Sequence, residues 1–210
     1  TNKTIVIDAG HQAKANNEKE PIGPGASETK AKVTDGAIGV STGQKESELN
    51  LKVSQMLKQE LTKKGYNVIM TRTEENVNMS NSERAQIANN ANATAFIRIH
   101  ANGSTHTNAS GVMTVCQTKD NPYNADIYDS CKRLSADVLS GMAAATGANS
   151  EGVWETDSMS GINWCKVPVT IVEIGYMTNS EEDQKLVTSD YQNLLAKGIA
   201  DGIDAYFAGE

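Results

Sequence analysis

The chain has 210 residues, 38% hydrophobic and 21% charged, which is enough for one sizeable core, and it has no apolar run long enough to cross a bilayer. The formal net charge is -7 with no basic block, which argues against nucleic-acid and anionic-lipid binding, since both draw their affinity from Lys and Arg. Cys116, Cys131 and Cys165 form no CxxC pair, so a thiolate zinc knuckle or thioredoxin-type site is disfavoured; a Cys116–Cys131 disulfide and buried free thiols both stay open.

Strand and helix signals alternate along the chain. Thr4–Ala9 reads as a fully buried strand. Residues 12–45 are Gly-rich and polar and read as one long loop, a kind of segment that is usually functional or mobile. Glu46 opens a helix to about Lys64, with Leu49, Val53, Met56 and Leu57 on one face and Gly65 as its stop. Residues 67–72 ("NVIMTR") form the next strand, and Ser80-x-x-Glu83 is a capping-box pattern before a helix to about Ala91. Residues 95–100 ("AFIRIH") and 111–116 ("GVMTVC") are strands. Residues 124–146 are helical and close at Gly147, and a polar loop carrying Trp154 follows. Residues 169–174 ("VTIVEI") are another buried strand. Ser180-x-x-Asp183 caps a short helix, and the last helix runs from about Tyr191 to Phe207. This order predicts an α/β fold: a mostly parallel central sheet flanked by helices on both faces, in a single domain.

In open sheets of this class the working crevice lies outside the carboxyl ends of the strands. His11 follows the first strand, His100 closes "AFIRIH", and Glu173 lies near the end of "VTIVEI". If those strands are parallel, all three groups reach one edge. Two histidines with carboxylates suggest a metal: catalytic zinc takes three protein ligands, His₂Glu is a known set, and a further carboxylate moves protons. A Glu at the start of the first helix would complete the set, although these residues match no compact motif such as HExxH. Other readings stand beside this one. Glu173, in an apolar run, is either functional or ion-paired with Arg72 or Arg98. Asp8 orients a ligand or simply ends its strand, and Asn102 contacts substrate or makes a turn. His106 lies in a polar loop and reads as solvated rather than as a fourth ligand.

The ordered segments "IVIDAGH", "KESELNL", "VIMTR", "SERAQIANNANATAFIRIHAN", "GV", "PVTIVEIGYMTN" and "YQNLLAKGIADGIDAYF" resemble the zinc-dependent N-acetylmuramoyl-L-alanine amidases of bacterial cell walls, of the amidase-3 type, over nearly the whole chain. The resemblance implies one catalytic domain across residues 1–210. It implies zinc as cofactor, with His11, Glu46 and His100 as ligands and Glu173 as the catalytic carboxylate. Glu48 competes with Glu46, but two positions along a helix turn a side chain by about 200°, so both cannot face one ion; motif register selects Glu46. The sequence departs from the family pattern at Arg98, where a small residue is usual, in the longer loop after His11, and in "NWCKVPV" before the last strand.

The implied substrate is peptidoglycan, cut between N-acetylmuramic acid and L-alanine of the stem peptide. The alternatives are a zinc peptidase or carboxypeptidase acting within that peptide and a non-catalytic wall-binding module. An extracellular or cell-wall location follows from the substrate. No charged-then-apolar leader is seen at Thr1, so the expectation is a trimmed leader or anchor, an anchoring or regulatory partner outside this chain, or a freely secreted enzyme.

Overall fold

The computed structural model describes residues 2–210. Along the chain run β1 (Thr4–Ala9), β2 (Asn16–Pro21), β3 (Thr29–Val33), α1 (Glu46–Lys63), β4 (Asn67–Met70), α2 (Asn81–Asn90), β5 (Ala95–Asn102) and β6 (Val112–Cys116). They are followed by α3 (Tyr128–Thr146), β7 (Ser150–Glu155), α4 (Ser160–Asn163), β8 (Val169–Tyr176), α5 (Ser180–Leu186) and α6 (Ser189–Ala208).

Six strands form one sheet in the order β4-β1-β5-β8-β6-β7, with β4, β1, β5 and β8 mutually parallel. β6 lies antiparallel to β8, and β7 parallel to β6. The reversal has a simple cause. Residues 103–111 join β5 to β6 without a helix, whereas a parallel return needs a crossover of about a dozen residues or more.

Successive strand side chains point to opposite faces. On one face Ile5, Ile7, Ile97 and Ile99 pack against Leu49 and Val53 of α1, Leu134 of α3 and Leu195 of α6. On the other, Val6, Phe96 and Ile171 meet Ala85 and Ala88 of α2 and Ile162 of α4. Helices therefore cover both faces, as the near-continuous apolar runs of β1 and β8 require. α3 and α6 approach closely because Gly141 faces Gly198 and Gly202; a Cβ on Gly198 would sit 2.6 Å from the Gly141 carbonyl.

Local signals account for most element ends. Ser80 Oγ accepts from Glu83 N at the start of α2, and Gly147 ends α3 in the left-handed region at φ 71°. The cap of α5 differs from expectation. Asn179, not Ser180, accepts from Glu181 N and Glu182 N, while Asp183 is buried and takes Ser41 N and Thr42 N.

Two stretches read as loops contain strands. Within 12–45, β2 and β3 pair antiparallel as a hairpin, and the Trp154 segment is β7, an edge strand. Both are largely exposed, so neither carries the apolar alternation that marks a half-buried strand. The three cysteines are buried and free, so no Cys116–Cys131 disulfide forms; burial pushes the Cys116 thiol up to about 11. Among the described residues no helix is long and apolar enough to cross a membrane.

Candidate metal centre

His11 stands just past β1, where the chain turns with His11 itself at φ 62°, a left-handed conformation that non-glycine residues seldom adopt. The turn is held by its carbonyls. Arg72, after β4, donates from Nε to Ala9 O at 2.8 Å and from Nη2 to Gly10 O at 3.0 Å. Arg84 of α2 donates to Ala9 O at 2.8 Å and to His11 O at 2.9 Å. His11 Nδ1 lies 2.8 Å from the Thr34 carbonyl, an acceptor only. Nδ1 therefore carries a proton, and Nε2 is the ring nitrogen that faces inward.

His100 lies on β5 beside Glu173 of β8, the two being Cα partners in the parallel register. Its ring packs over Gly10, where a Cβ would overlap it, and edge-on to His11 with ring centroids 4.9 Å apart. Glu46 enters from the first turn of α1. Its Oε2 accepts from Ala37 N at 2.7 Å, and its Oε1 accepts from Ala101 N at 3.0 Å. These bonds fix the carboxylate with Oε1 3.2 Å from His11 Nε2 and 3.3 Å from His100 Nδ1.

One ligand atom from each of His11, Glu46 and His100 lies within 4.8 Å of the others, so the three could hold a metal ion. Two imidazoles and a carboxylate are a donor set that suits zinc. A second observation agrees: His100 Nε2 and Glu173 Oε2 are buried without a hydrogen-bond partner, which native structures rarely leave unexplained. Glu48, the competing ligand, points away. It is exposed and accepts from Gln44 Nε2.

The electrostatics are those of a coupled cluster. Burial alone would raise the Glu46 carboxyl, but hydrogen bonds from His100 and His11 hold it well below the usual carboxylate range. Burial lowers His100; at His11 burial also pulls down, but the Glu46 bond, the Glu46 charge and the Thr34 carbonyl together outweigh it and raise the imidazole. Glu173 has no such partner. Burial, with the Glu46 charge adding to it, pushes its carboxyl up to about 8. The expected alternative ion pair is not formed, because Arg98 is bound to Asp8 and Arg72 to Glu75. A cavity of about 230 Å³ is lined by His11, His100, Glu173, Arg98, Ser160 and Lys30, among others. The arrangement brings a possible cation site and a carboxyl with a raised pKa into one recess. His106 is exposed and outside it, and Asn102 donates to Met113 Sδ instead of making a turn.

Residues 5–205 match the family described as Amidase_3, N-acetylmuramoyl-L-alanine amidase. The chain belongs to this amidase family. It is 29% identical over 205 residues to the uncharacterized protein YqiI of Bacillus subtilis, covering 98% of this chain and 85% of YqiI. It is 30% identical to the N-acetylmuramoyl-L-alanine amidase LytC of Bacillus subtilis over 82% of this chain, but spans only 33% of LytC. The crystal structure of an N-acetylmuramoyl-L-alanine amidase from Clostridium difficile 630 superposes with TM-score 0.81 at 26% identity, covering 100% of this chain and 98% of that one.

Behind the cluster of this amidase-family chain lies a buried polar network that the sequence marked only in part. Asp8 is fully buried; its Oδ1 takes Thr71 Oγ1 and Arg84 Nη1, and its Oδ2 takes Arg98 Nε. Burial would raise its carboxyl, yet Arg84 and Arg98 hold it far below the ordinary range. Arg98, in place of the small residue usual in the family, fits because Gly161 opposite it has no Cβ to clash. The role of Arg84 was not read from the sequence. The available signal was its place on one helical face with Ala85 and Ala88, both buried.

Asp8→Asn is expected to cost about 3–5 kcal/mol, because among the described residues Asp8 is the only carboxylate bonded to Arg84 and Arg98, and its loss leaves buried guanidinium charge uncompensated. Urea melts measure this directly, and a loss under about 1 kcal/mol would contradict the buried pairing. The pH dependence has a definite sign. With its folded pKa depressed, Asp8 contributes fully above the unfolded value of about 3.9, and that contribution is lost as pH falls towards the folded value.

Proposed function

We propose that this chain is the catalytic domain of a zinc-dependent peptidoglycan hydrolase. It cleaves the amide between N-acetylmuramic acid and L-alanine of the stem peptide, outside the cytoplasm at the cell wall. The observation that carries this reading is the His11, Glu46 and His100 cluster sharing a recess with the otherwise unpaired Glu173. Family membership supplies the bond that is cut.

His11, Glu46 and His100 would hold the zinc, which when bound would supply Lewis acidity. The protein does the rest. The Thr34 carbonyl keeps His11 in the tautomer that presents Nε2, and the Ala37 and Ala101 amides keep the Glu46 carboxylate aimed at both imidazoles. Glu173 takes a proton from the attacking water and returns it to the leaving nitrogen. Water and amide thereby become a lactyl carboxylic acid and a free L-alanine amine. A buried carboxyl with a raised pKa suits that relay, because it holds the proton until the nitrogen needs it.

Digestion of purified peptidoglycan followed by mass analysis tests the proposal. New L-alanine amino termini and peptide-free glycan strands are expected. Cleavage within the peptide would make the enzyme a peptidase instead, and wall binding without products would make it a binding module.

A further inference from the structure

The β2–β3 hairpin forms one wall of the recess and is pinned to both of its sides. Glu20 accepts from Ser82 N at 3.0 Å at the start of α2, Trp164 Nε1 donates to Pro21 O at 2.8 Å, and Lys30 Nζ donates to Ser158 O at 2.9 Å. Lys30 therefore spans from the hairpin to the 156–160 segment at the edge of the cavity that holds His11, His100 and Glu173. Glu20, the partner of Lys30 across the hairpin, is bound to Ser82. The bond to Ser158 uses one of three ammonium donors on a neutral carbonyl, and among the described residues no carboxylate pairs with it. The neighbouring cations are committed: Lys32 to Glu18 at 2.7 Å, and Arg98 to Asp8 at 3.0 Å and to Asn81 at 2.8 Å. In a chain of net charge -7, a positioned and unpaired ammonium at the mouth of the recess favours an anionic ligand group there.

We propose that Lys30 is a specificity-determining residue that binds a free carboxylate on the peptide leaving the glycan strand. This rests on the amidase reading above, and the substrate class follows from it: stem peptides carry carboxylates beyond the L-alanine that is released. Two donors on Lys30 remain for such a group, while Ser158 holds the ammonium in place.

The test compares two muramyl peptides that differ only in charge, with D-glutamate or D-isoglutamine in second position. Wild-type enzyme is expected to prefer the acid by about tenfold or more in kcat/KM, the scale of one charge-assisted hydrogen bond. In Lys30→Gln the ratio of the two falls to near one, Lys30→Arg retains the preference, and Lys30→Glu inverts it. Lys30 is exposed, so thermal melts are expected to match wild type within a degree or so. A wild type that cuts both peptides equally, or a Lys30→Gln variant that keeps the preference, overturns the proposal alone. A wild type that cuts neither overturns the amidase reading and the proposal with it.

Discussion

Replacing Glu173 by glutamine is expected to lower kcat by about 10²–10⁴-fold, the range over which a positioned acid–base group contributes, with zinc content unchanged from wild type. The reasoning is geometric. Glu173 lies beside His100 on the neighbouring strand but outside the three-residue cluster, so the ligand set is untouched by the change. Glutamine keeps the shape and cannot carry a proton between water and nitrogen. Stability should move the other way or not at all. Glu173 Oε2 is buried with no partner, and burial already disfavours its ionised form, so a neutral amide removes a cost. Metal analysis, single-turnover kinetics and a thermal melt on the same sample separate these effects. Wild-type turnover in Glu173→Gln would move the proton relay to another group.

Treatment with a chelator is expected to abolish peptide release, and one equivalent of zinc is expected to restore it. Glu46 is almost wholly buried between two imidazoles, with its Oε1 3.2 Å from His11 Nε2 and 3.3 Å from His100 Nδ1. Only folding brings these three side chains together, so an ion held by all of them would bind the folded state in preference to the unfolded one. At an ion concentration a thousandfold above Kd this linkage adds about 4 kcal/mol, or a rise in Tm on the order of 8–16 °C for a domain of this size. Differential scanning calorimetry with and without zinc reads that shift independently of activity. Full turnover by metal-free enzyme would remove the Lewis-acid step from the proposed reaction.

Much of this architecture is legible in the residue order. The buried runs at Thr4–Ala9 and at 169–174 within β8, the Ser80 cap and the Gly147 stop are local signals, and local physics decides them. The rule placing active groups at the carboxyl ends of parallel strands then puts His11, His100 and Glu173 on one edge, as the β1, β5 and β8 pairing does. Glu46 over Glu48 followed from motif register, and helix geometry agrees, with one buried and the other exposed. The hairpin at Asn16–Pro21 and Thr29–Val33 was not legible, because "NNEKEP" and "TKAKV" have no apolar face to bury. Its strands are held by pairing with each other and by bonds to Ser82, Trp164 and Ser158, contacts made across more than 60 residues of sequence. Arg84 and Lys30 were missed for a related reason: an arginine or lysine reads as surface charge until its surroundings are known.

The amino-acid order by itself determined the α/β class, helices on both sheet faces and the three groups His11, His100 and Glu173 at the strand ends, while the family resemblance selected Glu46 at the start of α1. These follow from apolar periodicity and from short motifs, which act over one or two turns or strands. Tertiary structure alone decided the direction of β6, the hairpin wall, and the pairing of Asp8 with Arg84 and Arg98. Each of these depends on which distant polar group is close enough to satisfy a buried charge or a strand edge, and that proximity exists only once the chain has packed.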